Sequence, residues 1–204
     1  MTTADAPPGT DTHRRRLIEG MAECIRARGY AETTVADIVR AARTSRRTFY
    51  AHFADRQECL VGLLNETNQR TIARISATVD PGADWATQAR QAIEGWIAAV
   101  QADPPITLSW IRDVPALGEG TARQFQRTTM RAFVELIQNL TDTPQLRAAG
   151  VRPPSEQIAI ILLGGLRELI ATAVEDGRDV ATIVGPAVEA TQLLLGPRAG
   201  RIGA

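Results

Sequence analysis

The sequence predicts an all-α protein: a small N-terminal three-helix head containing a helix-turn-helix, joined by a linking helix to a larger C-terminal helical domain, about nine helices in total. Three observations predict it. Apolar residues recur at three- and four-residue spacing in nearly every segment. Aromatic residues make up only 4% of the 204-residue chain, and runs of alternating β-branched residues are absent, which argues against sheets. Proline, glycine and aspartate cluster at regular breaks, where helices must end. With 44% hydrophobic residues the chain can bury a sizeable core. The expected divisions are a disordered tail over residues 1–11, a head with its linking helix over 12–75, and the large domain over 76–204.

In order, MTTADAPPGTDT lacks the basic and apolar regions of a signal peptide and has the composition of a loose tail. Thr12 is the expected cap of a first helix in which Leu17, Met21, Ala22 and Ile25 form one stripe, and Gly29 ends it. Arg14, Arg15 and Arg16 lie near its start, either solvated or close to a phosphate backbone. A second helix follows, with Val35, Ile38, Val39 and Ala42 at helical spacing. Thr34 and Asp37 make a capping-box-like start, although that box prefers Glu or Gln at its second position. The pattern breaks at Arg43-Thr44, and Ser45 caps a third helix whose Phe49 and Phe53 point inward together. Arg47, Thr48 and Ala51 then lie opposite those rings, Tyr50 and His52 on the flanks, and Arg46 at the exposed start. An outer face of arginine, hydroxyl and imidazole fits the major groove of DNA.

The run T-T-V-x-D-I-x-x-A-A-x-x-S-x-x-T-F-Y-x-H-F-x-D-R-x-E resembles the helix-turn-helix of the TetR family of bacterial transcriptional regulators. Two positions depart from that family's habit. Arg43 stands at the turn where glycine is usual, and Arg56 opens the next helix where lysine is usual. A non-glycine residue at positive φ is uncommon, whereas an arginine at the second position keeps the cation. The resemblance implies a palindromic operator, a homodimer and a ligand-responsive C-terminal domain. On this reading Arg46, Arg47 and Thr48 meet base edges, Tyr50, His52, Arg56 and Thr33 fix the DNA backbone, and Ser45, which caps the reading helix, is also counted among the DNA-binding residues.

Charge is distributed to match. The formal net charge is +0, yet residues 12–56 carry ten arginines against five acids, so positive charge gathers where phosphates would lie. Every one of the 23 basic residues is arginine. Cys24 and Cys59 have no metal-ligand spacing and read as buried thiols of a cytoplasmic protein. The longest near-continuous apolar stretch, Ile158 to Leu166, is far short of the ~20 residues a bilayer needs, so no membrane partner is expected.

The linking helix starts at Asp55 or Arg56 and runs to about Ile75, its apolar side marked by Cys59, Leu60, Leu63, Leu64, Thr67 and Ile72. Beyond the break at Val79-Asp80-Pro81-Gly82, helices are expected at Asp84 to Ala102, Ile106 to Asp113, Glu119 to Leu140, Ser155 to Asp176 and Val180 to Leu195. Pro186 either kinks the last of these or marks its true start. The segment IAIILLGGLRELIATAV and the last helix are apolar on more than one face, which suggests a partner on one side. Gly164 and Gly165 inside a helix cost about 1 kcal/mol each relative to alanine, and a close helix approach would explain them. The family resemblance implies a four-helix dimer interface there, with Ile161, Gly164, Gly165, Glu168, Val184, Val188 and Thr191 in contact.

The candidate ligand pocket has apolar walls from Trp96, Trp110, Phe125, Phe133, Leu163 and Leu166, with Thr107, Gln124 and Thr129 as polar groups; core packing is the competing reading of the same residues. Arg112 beside Asp113 reads as an internal salt bridge rather than a ligand contact. There is no nucleophile elbow, phosphate loop or metal-spaced cluster, and both histidines, His13 and His52, lie in the head. No cofactor and no catalytic residue are therefore expected. The reading is a homodimeric repressor that binds a double-stranded DNA operator and is released by a small apolar effector. Its rivals are a constitutive dimeric DNA binder, and an all-helical small-molecule-binding protein or enzyme with a vestigial head.

Overall fold

The computed structural model describes residues 8–117 and 120–197, all in helices, turns and loops with no strand among them. Residues 1–7 of the expected tail, and Glu119 at the expected start of the long central helix, lie outside the described residues.

The first helix, α1 (Pro8–Arg28), starts four residues before the expected cap at Thr12, so residues 8–11 belong to a helix and not to a tail. It ends at Gly29, whose φ of 77° only glycine adopts at little cost. The helix α2 (Val35–Ala41) carries a complete capping box. Thr34 Oγ1 accepts from the Asp37 amide at 3.2 Å, and the Thr34 amide donates back to Asp37 Oδ2 at 3.1 Å. Aspartate thus serves where the longer acids are usual. Arg28 and Arg40 also meet Asp37, at 3.2 and 3.1 Å, and with the Thr34 hydrogen bonds, the larger cause, they hold its carboxyl below the usual range.

After α2 the chain turns through Arg43, which takes φ 49° and is the one non-glycine residue at positive φ among those described. The left-handed conformation costs a side-chain-bearing residue roughly 1–2 kcal/mol. The turn is held by a hydrogen bond from the Thr44 amide to the Val39 carbonyl at 2.9 Å, and the Arg43 carbonyl accepts from Arg16 Nη2 at 2.8 Å. Arginine therefore does occupy the glycine position. Next come α3 (Arg46–His52) and α4 (Arg56–Thr78). Leu17, Met21, Ile38, Phe49 and Leu60, all fully buried or within 1% of it, make the centre of the head. Gly20 lets α1 and α2 meet: a Cβ there would lie 2.8 Å from the Ile38 carbonyl oxygen. Burial raises both thiols, that of Cys59 to about 12.

The body consists of α5 (Trp85–Ala102), α6 (Pro104–Ala116), α7 (Thr121–Thr141), α8 (Pro144–Ala148), α9 (Glu156–Glu175) and α10 (Val184–Leu195), the last preceded by a 3-10 turn at Val180–Ile183. The short α8 was not anticipated. Thr143 caps it by accepting from the Leu146 amide at 3.2 Å, Pro144 opens it, and Leu146 is buried beneath. Pro186 sits in the first turn of α10, and the separate 3-10 turn before it means that it marks the true start of the helix. Helix α4 runs from the head into the body, where it packs on α5 and α7. Gly95 of α5 faces that contact at close range: a Cβ there would lie 3.3 Å from the Ile75 Cα.

Helix α9 is 20 residues long, and its most apolar 18-residue stretch has a mean hydropathy of 1.7, which by length and composition alone would suffice to cross a bilayer. In the fold it is a bundle helix instead. Leu162, Leu163, Leu166, Ile170 and Ala173 are buried against its neighbours.

Candidate functional site

Helix α3 is short and its orientation is fixed at both ends. Ser45 Oγ accepts from the Thr48 amide at 3.0 Å, and Phe49 and Phe53, with ring centroids 5.8 Å apart, anchor the inner side in the core. What remains outward is Arg46, Arg47, Tyr50 and Ala51, all exposed, with Thr48 and His52 half-buried on the edges. Tyr50 is 58% exposed although its ring rests edge-on against Phe49 at 5.4 Å. The guanidiniums of Arg46 and Arg47 have no partner among the described residues, whereas most other arginines of the head are engaged.

Two residues expected at the DNA backbone are placed otherwise. Thr33 is fully buried, and its hydroxyl donates to the Gly29 carbonyl at 2.7 Å, so it closes the loop after α1 and faces no ligand. Arg56 turns back into the head. Its Nη1 donates to the carbonyls of Tyr30 (3.1 Å), Ala31 (3.2 Å) and Thr33, and the guanidinium stacks on the Tyr30 ring at 4.3 Å. This arginine ties the start of α4 to the loop beneath the reading helix. The run Arg14 to Arg16 is divided too. Arg14 pairs with Glu66 at 2.8 Å and lies over Phe53, Arg16 holds the turn, and Arg15 stays in solvent beside Glu19 at 3.8 Å.

In the body, a cavity of about 70 Å³ lies between α4, α5, α7, α9 and α10. Trp96, Phe133, Leu163 and Leu166 line it as expected, with aliphatic residues such as Ile75, Ile93 and Leu136, and no charged side chain. A second space of about 10 Å³ lies beyond Trp96 and Phe133, bounded by Asn68, Thr71, Thr107 and Trp110. Phe133 stacks between both tryptophans, with centroids 5.8 Å from each. Three expected pocket residues lie elsewhere. Gln124 is exposed on α7 and hydrogen-bonded to Thr128 at 3.4 Å, Phe125 is buried but lines neither space, and Thr129 faces a groove on the outer side of Trp110. Arg112 has ion pairs, but not with its neighbour Asp113. It reaches Glu168 at 2.8 Å and Glu175 at 2.6 Å, pinning α6 to α9.

The outward faces of α9 and α10 carry the large exposed aliphatic residues among those described: Ile161 is 60% exposed, Leu169 41% and Leu193 79%. Gly164 and Gly165 lie among them, and a Cβ at either would touch nothing within 4 Å. No helix among the described residues accounts for those glycines. Glu168 is on this face, tethered by Arg112, and Val184 is half-buried. Val188 and Thr191, expected at the same surface, point inward: both are buried, and Thr191 lines the cavity with its hydroxyl on the Ala187 carbonyl at 2.7 Å. Sequence reasoning also missed Arg26, which clamps the head to the body through Asp103 at 2.6 Å, and Asn68, the buried amide on α4. Neither has a local signal; Asn68 is conspicuous only as a polar residue on the apolar side of its helix.

Residues 17–63 match the model of the family described as bacterial regulatory proteins, tetR family. No curated protein sequence matches. Among solved structures, the fatty acid degradation regulator FadR from Bacillus halodurans shares 18% identity over 97% of this chain and 100% of that one, with a TM-score of 0.72. FadR from Bacillus subtilis, solved in complex with stearoyl-CoA, shares 16% over 89% and 98%, with a TM-score of 0.74. A TetR-family transcriptional regulator from Pectobacterium atrosepticum shares 24% over 94% and 96%, with a TM-score of 0.70. The family model fits the head that holds α3, and the fold of these solved regulators extends over nearly the whole chain.

Proposed function

We propose that this protein is a cytoplasmic, homodimeric transcriptional repressor that binds a palindromic DNA operator and is released from it by a small apolar effector. The observation that carries the reading is the division of α3: its aromatic edge is buried, while Arg46, Arg47 and Tyr50 stand free on the opposite side. Arginine suits bidentate contact with guanine in the major groove. Two such heads need a fixed spacing of about 34 Å or a multiple of it, and the exposed Ile161, Leu169 and Leu193 face supports a twofold pairing that would set it. The cavity supports an apolar effector, and the stearoyl-CoA bound by the Bacillus subtilis relative is in keeping with that. Because α4 lines the cavity with Ile75 and enters the head at Arg56, a ligand that favours one placement of α4 favours one spacing of the heads.

Anisotropy titration of labelled duplexes at several salt concentrations, with sedimentation of the complex, tests this. The expected result is two chains per bound duplex or a multiple of two, with affinity falling steeply with salt. A single subunit that ignores duplex DNA at low salt would overturn it.

A further inference from the structure

The interior around the cavity has no charge, and it holds an amide with nothing to bind. Asn68 is nine-tenths buried on α4, and its side-chain Nδ2 has no hydrogen-bond partner. A buried donor left unpaired is destabilising, so such groups mark places where a partner arrives. The hydroxyls of Thr67 and Thr71 donate to the carbonyls one turn earlier on α4, both at 3.0 Å, and that of Thr107 to the Asp103 carbonyl at 3.4 Å; their oxygens keep lone pairs, but none accepts from Nδ2. The rings of Trp96 and Phe133 line both the space beside this amide and the larger apolar cavity. Trp85 Nε1 is also unpartnered at the far side of that cavity, but this side chain is only half-buried.

We infer that the effector is an uncharged, mainly apolar molecule with a carbonyl-type hydrogen-bond acceptor, and that the Asn68 amide takes that acceptor while the apolar part fills the cavity between α5, α7 and α9. The inference rests on the effector reading above and deepens it. A free carboxylate is disfavoured inside, since no arginine lines either space and an unpaired charge there would be desolvated without compensation. Because Asn68 belongs to the helix that continues into the head, recognition of the acceptor acts directly on α4.

The test uses the full chain and three probes of matched length, 2-octanone, octane and sodium octanoate, followed by quenching of tryptophan emission. 2-Octanone is expected to bind most tightly. Asn68→Leu is expected to weaken 2-octanone about tenfold, the loss of one hydrogen bond of roughly 1.4 kcal/mol, while octane is unaffected. Asn68→Met, which removes the donor without adding a group that can ionise or donate, should discriminate against the ketone in the same way. Melting curves of both variants establish that they fold, and Asn68→Leu is expected to melt no lower than the parent. Equal binding of ketone and alkane, preference for octanoate, or unchanged ketone affinity in Asn68→Leu would overturn the inference while leaving the cavity a ligand site; the amide would then be met by water alone. Quenching by none of the three would overturn the effector reading as well.

Discussion

Replacing Arg56 by alanine separates a structural arginine from a phosphate-binding one. Its guanidinium serves three carbonyls, those of Tyr30, Ala31 and Thr33, and covers the Tyr30 ring at 4.3 Å. Hydrogen bonds from a charged donor contribute about 1.5–3 kcal/mol each, and a stacked cation about 0.5–1 kcal/mol. The three carbonyls share one nitrogen and lie in one loop, so their contributions do not add. A net loss of about 2–4 kcal/mol is the reasonable total, equivalent to a fall in melting temperature of roughly 5–15 °C for a chain of this size. Thermal unfolding followed by circular dichroism measures it. Arg56→Lys should recover only part of the loss, because a lysine ammonium has donors for the carbonyls but cannot stack on Tyr30 as a plane. On DNA, the folded fraction of Arg56→Ala should keep the parental salt dependence. A variant that melts normally but shows a shallower salt slope would refute the reasoning and return Arg56 to the phosphate backbone.

Other substitutions probe the remaining parts. Gly20→Ala should loosen the head by roughly 1–3 kcal/mol, because the added methyl meets the Ile38 backbone at 2.8 Å; chemical denaturation reads the change. Leu193→Asp combined with Ile161→Asp should yield a single subunit by sedimentation and weaken operator binding, since both side chains stand on the open face of α9 and α10. Arg112→Gln should lower stability at neutral pH but converge on the parent in acid. Hydrogen bonds from Arg112 hold the Glu168 and Glu175 carboxyls below the usual range, so their contribution is present above about pH 4.3 and lost as pH falls through the depressed values. Denaturant titrations between neutral pH and pH 3 give the comparison.

Much of this architecture is legible in the chain because its signals are local. Thr34 with Asp37, Ser45 with Thr48, and the Phe49–Phe53 pair each fix an element through neighbours within four positions, and each has the predicted geometry. Failures occur where a partner is remote. Thr33 and Arg56 meet across a loop that no periodicity describes, and Arg112 selects acids 56 and 63 positions away over the adjacent Asp113. Helix α10 is apolar on more than one side, so a helical wheel could not say that Val188 and Thr191 turn inward while Leu193 turns out. The five-residue α8 is too short for any period to show. Gln124 was misplaced because nothing in the sequence orients α7 about its axis, and Asn68 was missed because a single buried amide leaves no repeat.

The account depends most on the outer edge of α3 meeting base pairs. Sequences selected from random duplex DNA by the parent and by Arg47→Ala test this most directly. The account predicts a palindrome for the parent. For the variant it predicts the same palindrome with preference relaxed at one position in each half-site and affinity lower by about 1–3 kcal/mol. No enriched sequence for the parent, or an identical profile at equal affinity for both proteins, would contradict it.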